Sequence, residues 1–126
     1  PLAADERRAA RSALSRHLRR CLSDGPRTEA FAAAAVTACR DGGAGTVVFL
    51  GTGSFMPALN AARCLGAPGR VLVLEPSRAL RGACEALAAA NDLQDALRVL
   101  APEGGMPLAS PAAYEGLAAG TYAAVC

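Results

Sequence analysis

Thr46-Val47-Val48-Phe49-Leu50-Gly51-Thr52-Gly53-Ser54 is the stretch on which the fold of this chain turns. An apolar run of strand-forming residues enters a Gly-x-Gly turn, and the Ala-rich segment behind that turn has helical spacing. Val71-Leu72-Val73-Leu74-Glu75-Pro76 follows as a second apolar run, closed by an acid. Strand, glycine turn, helix, strand and terminal acid together form the half-site of a nucleotide-binding α/β fold.

Working outward, the pattern predicts strands at 46–50, 71–75, 97–101 and 121–126, with helices at about 55–66 and 77–90 and an irregular or short helical segment at 102–119. Strands that are apolar throughout, alternating with helices, imply a parallel sheet covered on both faces. The expected fold class is therefore α/β, a doubly wound (Rossmann-like) mostly parallel sheet with flanking helices, preceded by two N-terminal helices. Residues 1–44 would supply those helices and 45–126 the core, within one structural domain. There is no internal repeat.

The first N-terminal helix is expected from Ala4 to Leu22, because Leu14, Leu18, Cys21 and Leu22 recur at helical spacing while arginines take the other face. Ser23-Asp24-Gly25-Pro26 breaks it. The second runs through Phe31 and Val36 to Arg40, begun either by Pro26 in its first turn or by Thr28 as cap, and ended by Asp41-Gly42-Gly43.

Hydrophobic residues make up 52% of the 126, yet aromatics only 4%, so the interior should be small-residue helices packed closely on a sheet. No apolar run approaches the roughly 18 residues that span a bilayer. The chain starts at Pro1 and stops at Cys126 inside the apolar run 122–126, as a fragment cut from a longer chain would.

All thirteen basic residues are arginine, which reads as GC-rich coding rather than chemistry, and the net charge is +2. Six of them (Arg7, Arg8, Arg11, Arg16, Arg19, Arg20) lie in the first twenty residues. That arm is a solvated helix face, a docking element for an acidic partner or nucleic acid, or an organelle-targeting remnant, the last opposed by Asp5 and Glu6. For the chain as a whole the expected partner is a protein, as substrate or within a larger assembly, rather than a membrane or a nucleic acid. Five cysteines, without a CxxC pair and with a single histidine, argue against structural zinc. They read as small buried residues in a reducing, cytoplasmic compartment, and their odd number argues against a closed disulfide framework.

In a parallel sheet the ligand lies beyond the carboxyl ends of the strands, where Gly51, Thr52 and Gly53 let the backbone come close and the next helix offers N–H groups, with Ser54 as its cap. Glu75 stands 24 residues after Gly51, where a carboxylate accepts two hydrogen bonds from ribose hydroxyls; the alternative is an acid that merely caps the helix near Ser77. The third glycine that would hold a pyrophosphate is missing, and GxxxxGK[ST] is absent from a chain without lysine. An adenosine-type ligand with no phosphate to cradle remains, and S-adenosylmethionine fits that description.

Here the residues resemble a family, the class I S-adenosylmethionine-dependent methyltransferases, and within it the protein arginine methyltransferases. Leu22-Ser23-Asp24-Gly25-Pro26-Arg27-Thr28-Glu29-Ala30-Phe31 is similar to the family segment of Leu, Asp, Arg and an aromatic that precedes the first strand. Val47 to Ser54 is similar to its first motif, Glu75 to its ribose acid, and the run 88–95 to its turn into the third strand. The resemblance covers roughly residues 20 to 100. It implies that Arg27 pairs with the cofactor's carboxylate, that Gly51, Thr52 and Gly53 pass the methionine moiety, that Glu75 holds the ribose, and that Glu103 lies near the adenine. It also implies two substrate-orienting glutamates just after the fourth strand, at or beyond Cys126, so no catalytic residue is named. His17 is either a family-like N-terminal contact or a surface residue.

Two positions depart from the family. Phe49 stands where an acid helps bind the cofactor's ammonium, and a phenyl ring accepts no such hydrogen bond. Phe55 stands where the motif has its third glycine. These departures support a second expectation, a degenerate methyltransferase fold that serves as a non-catalytic scaffold and docks through its Arg-rich helix.

Overall fold

In the computed structural model, which describes residues 2–41, 45–66, 68, 70–103 and 122–125, the apolar runs are parallel strands. β1 (Thr46–Leu50), β2 (Val71–Leu74), β3 (Leu97–Leu100) and β4 (Tyr122–Val125) form one sheet in the order β3-β2-β1-β4. Val47 pairs with Val71 on one side and Ala123 on the other, and Val71 pairs with Leu97. The strand order thus changes direction at β1. The expected segment 102–119 falls, from residue 104 on, outside the described residues, as does Cys126.

Alternation along the strands sorts the core into two faces. Val47, Phe49, Val71, Val73 and Leu97 share a cluster with residues of four helices, namely α1 (Ala4–Ala13), α3 (Gly25–Arg40), α4 (Phe55–Leu65) and α5 (Arg78–Ala90). Val48, Leu72 and Leu74 form a second cluster on the opposite face, to which no described helix contributes. Burying one such Val, Leu or Phe side chain is worth about 1.5–3 kcal/mol, so the helical face carries most of the described core.

Local chemistry explains the helix ends. Asp24, not Thr28, caps α3: its Oδ1 accepts the Arg27 N–H at 3.0 Å, with Pro26 in the first turn where its missing donor does no harm. Gly66, at φ 63°, closes α4 in the left-handed conformation that glycine tolerates. Ser77 caps α5 by accepting from Leu80 N–H.

One expected N-terminal helix is two: α1 (Ala4–Ala13) and α2 (Arg16–Ser23), so three helices rather than two precede the sheet. The apolar spacing runs unbroken across the junction, but the Ser15 hydroxyl accepts the Leu18 N–H at 3.2 Å and starts a new helix. A serine side chain competing for backbone donors outweighs continuity of the stripe here. α1 packs on α5, α2 on the turn after β1, and all six arginines of this arm are exposed. No described helix is long and apolar enough to cross a membrane.

Cys21, Cys39 and Cys84 are buried as expected, whereas Cys64, near the end of α4, is exposed. Burial, with the charges of Glu85 and Glu75 adding to it, pushes the Cys84 thiol up from 9.0 to about 12. A raised value stabilises the fold fully below pH 9 and ceases to do so as pH climbs toward 12, at up to about 1.4 kcal/mol per pH unit. Alkylation of the native protein is expected to label Cys64 well before Cys84, and mass mapping that finds Cys84 labelled first would contradict this packing.

Candidate functional site

Two backbone hydrogen bonds carry the ladder one step past the strands. Gly51 N–H donates to Leu74 O at 2.8 Å, and Glu75 N–H donates to Leu100 O at 3.0 Å. Gly51 and Glu75 therefore leave adjacent strands side by side, at the usual strand spacing of roughly 5 Å. They do so at the carboxyl edge, beside β1, where the strand order reverses.

Gly51 has φ 77°, which a side chain would strain, and its carbonyl accepts from Ser54 N–H at 3.1 Å. Thr52 to Ser54 then form a 3₁₀ turn that enters α4. Gly53 serves a different end, because a Cβ there would lie 3.5 Å from Leu18 Cδ2 and 3.6 Å from Cys21 Cβ. Its bare Cα is the seat of α2. Ser54 does not cap α4; its hydroxyl donates back to Leu50 O at 3.2 Å, because the 3₁₀ turn aims the side chain at the end of β1 instead of at the helix.

Arg27 is brought to this turn from the first turn of α3. Its Nη1 donates to Gly53 O at 2.7 Å, and its guanidinium lies 4.6 Å from the ring centroid of Phe31, one helical turn on. Half-buried, it joins α3 to the glycine turn.

Glu75 is buried, at 5% exposure. Its Oε1 accepts Ser77 N–H at 2.7 Å, while Arg81 Nη1 grips the carbonyls of Glu75 and Pro76 at 2.8 and 2.7 Å. Of the two sequence readings of this acid, the contact with Ser77 N–H is that of a residue supporting the entry to α5, made here by a buried rather than a surface carboxylate beside the glycine turn. Glu103 lies three residues beyond β3 and is exposed, and no hydrogen bond among the described residues joins it to this group.

Both departing phenylalanines point into the core. Phe49 is 0% exposed and Phe55 2%, in the cluster with Val47, Val73 and Ala58. His17 is exposed, its Nε2 3.6 Å from the Sγ of Cys21, which itself rests on Gly53.

Sequence reasoning did not single out Arg81 or the seating of Leu18 and Cys21 on Gly53. Arg81 could have been found as a long cation one turn into the helix that follows Glu75; the α2 contact spans more than thirty residues and carries no local signal. Chemically, the described groups offer a carboxylate able to accept from hydroxyls, a guanidinium able to pair with a carboxylate, and a close backbone. No protein-family model, curated protein sequence or solved structure matches the chain.

Proposed function

We propose that the chain is the cofactor-binding half of a doubly wound, Rossmann-like S-adenosylmethionine-dependent methyltransferase, of the protein arginine N-methyltransferase type. The observation that carries this reading is the juxtaposition at the carboxyl edge: a left-handed Gly51 beside a buried Glu75, with Arg27 tied to the same turn. When bound, the cofactor would supply a sulfonium methyl group for transfer to a nucleophilic nitrogen of a protein substrate. Glu75 would hold the ribose hydroxyls, Arg27 the carboxylate end, and the turn would fix the reacting centre by proximity and orientation.

A second reading, a non-catalytic scaffold, is favoured by one feature. The sequence from Thr46 to Leu74 holds no acid at all, so the ammonium of the cofactor finds no anionic partner along β1 or α4. The same fold would then use Arg27 and Glu75 only to brace its own turns.

Calorimetric titration of the intact protein with S-adenosylmethionine and S-adenosylhomocysteine separates the two. Micromolar binding is expected, weakened at least about tenfold by Glu75→Gln and by Arg27→Ala, each of which removes a charge-assisted contact. Glu75→Gln keeps an oxygen for Ser77 N–H, and its thermal midpoint, measured alongside, separates loss of the ligand from loss of the fold. Absence of binding at millimolar ligand would overturn the enzyme reading and leave the scaffold.

A further inference from the structure

Among the described residues near this site, Thr28 has a polar group that is enclosed and unmet. It is 5% exposed, and its hydroxyl has no hydrogen-bond partner. The ordinary outlet of a helical threonine hydroxyl is the carbonyl four residues back. That oxygen, on Asp24, receives the Thr28 N–H at 3.0 Å and not the hydroxyl. An enclosed donor without an acceptor costs free energy in the ligand-free fold, and native structures rarely keep one without a use.

Its position gives the use. Thr28, Ala32, Ala35 and Cys39 are the buried stripe of α3, and Ala35 and Cys39 share the core cluster that holds Val47 and Phe49 of β1. Thr28 extends that inward stripe toward the N-terminus of α3, the end from which Arg27 reaches Gly53 O beyond β1. Thr28 therefore lies on the buried face of α3 at its N-terminal end, one residue from a guanidinium and near the start of a 16-residue helix, whose N-terminal dipole favours negative charge. The Asp24 carboxylate also lies at that N-terminus, where it is exposed and takes the Arg27 N–H.

We infer that Thr28 is a ligand-binding residue whose hydroxyl donates to the carboxylate end of the ligand, beside Arg27, between α3 and the glycine turn. The inference rests on the methyltransferase reading and adds to it a contact made inside the fold rather than on its rim. Arg27 supplies the charge, and Thr28 supplies a short, fixed donor that distinguishes a carboxylate-bearing ligand from one cut short at the sulfur.

Thr28→Val, which replaces the hydroxyl by a methyl group of the same shape, tests this with two ligands. Binding of S-adenosylhomocysteine should weaken about tenfold, binding of 5′-methylthioadenosine, which lacks the carboxylate, should stay unchanged, and Thr28→Ser should restore the first. The ligand-free Val variant should melt at or above the parent temperature, since an unmet donor has gone. If Thr28→Val binds S-adenosylhomocysteine as the parent does, or loses both ligands alike, the inference fails while the methyltransferase reading stands. A lower ligand-free midpoint would likewise overturn it, because the hydroxyl would then have a partner in the protein. Failure of the parent itself to bind S-adenosylhomocysteine would overturn the methyltransferase reading, and this contact with it.

Discussion

Phe49→Asp, which installs the acid that the proposed likeness to the arginine methyltransferases would call for at this position, is expected to unfold the protein rather than to improve cofactor binding. Phe49 is fully buried, on the sheet face that packs against the helices, among Val47, Val73, Phe55 and Ala58. Truncating such a ring to alanine costs about 3–5 kcal/mol through lost transfer energy and the cavity left behind. An aspartate adds the cost of a carboxylate placed among apolar atoms without a cation, a further several kcal/mol or an equivalent forced protonation. Against a total stability of about 5–15 kcal/mol for a domain, the sum removes most or all of it. Circular dichroism should show no cooperative melt for Phe49→Asp, whereas Phe49→Leu, which conserves apolar volume, should melt within a few degrees of the parent. A folded Phe49→Asp that binds S-adenosylmethionine more tightly would show that position 49 faces the ligand, contrary to the packing.

This orientation marks the limit of what could be read beforehand. The strands were legible because 46–50 and 71–74 are uninterrupted apolar runs, and the helices behind them because small residues recur at helical spacing. An uninterrupted run hides which face each side chain takes, however, since period-two alternation vanishes when both faces are apolar. Phe49 was therefore read only for the acid that the resemblance sets at its place, and its packing in the core was not legible. The break at Leu14-Ser15 was hidden for a related reason: the apolar stripe continues through it, and only the competition of the Ser15 side chain for the Leu18 N–H decides. The bond from Arg27 to Gly53, across 26 residues, carries no local signal, and the resemblance implied for Arg27 only a contact with the cofactor's carboxylate. Thr28 looked like a helix cap because threonine favours that role, but Asp24, four residues earlier, already fills it.

The two glycines of the turn should prove unequal, and their difference bears on function. Gly51→Val is expected to cost about 2 kcal/mol or more, because a β-branched residue at φ 77° is a genuine outlier. The turn has little room to relax around it: Gly51 N–H is held by Leu74 O at 2.8 Å, and Gly51 O holds Ser54 N–H at 3.1 Å. Gly53→Ala should cost well under that, since its Cβ would meet Leu18 and Cys21 at ordinary contact distances of 3.5 and 3.6 Å. Denaturant melts should rank them so, with Gly51→Ala between the two. Binding adds a second axis. A relaxed Gly51→Val would have to turn its backbone to negative φ, and the step that sets Gly51 beside Glu75 would be lost with the bond to Leu74. The variant should then lose S-adenosylhomocysteine by far more than its stability loss predicts, even at temperatures where it is fully folded. Gly53→Ala, which leaves that step intact, should retain most of its affinity. Equal losses from both variants would mean that the turn serves only to seat α2 on the sheet, which is what a scaffold requires and a cofactor site does not.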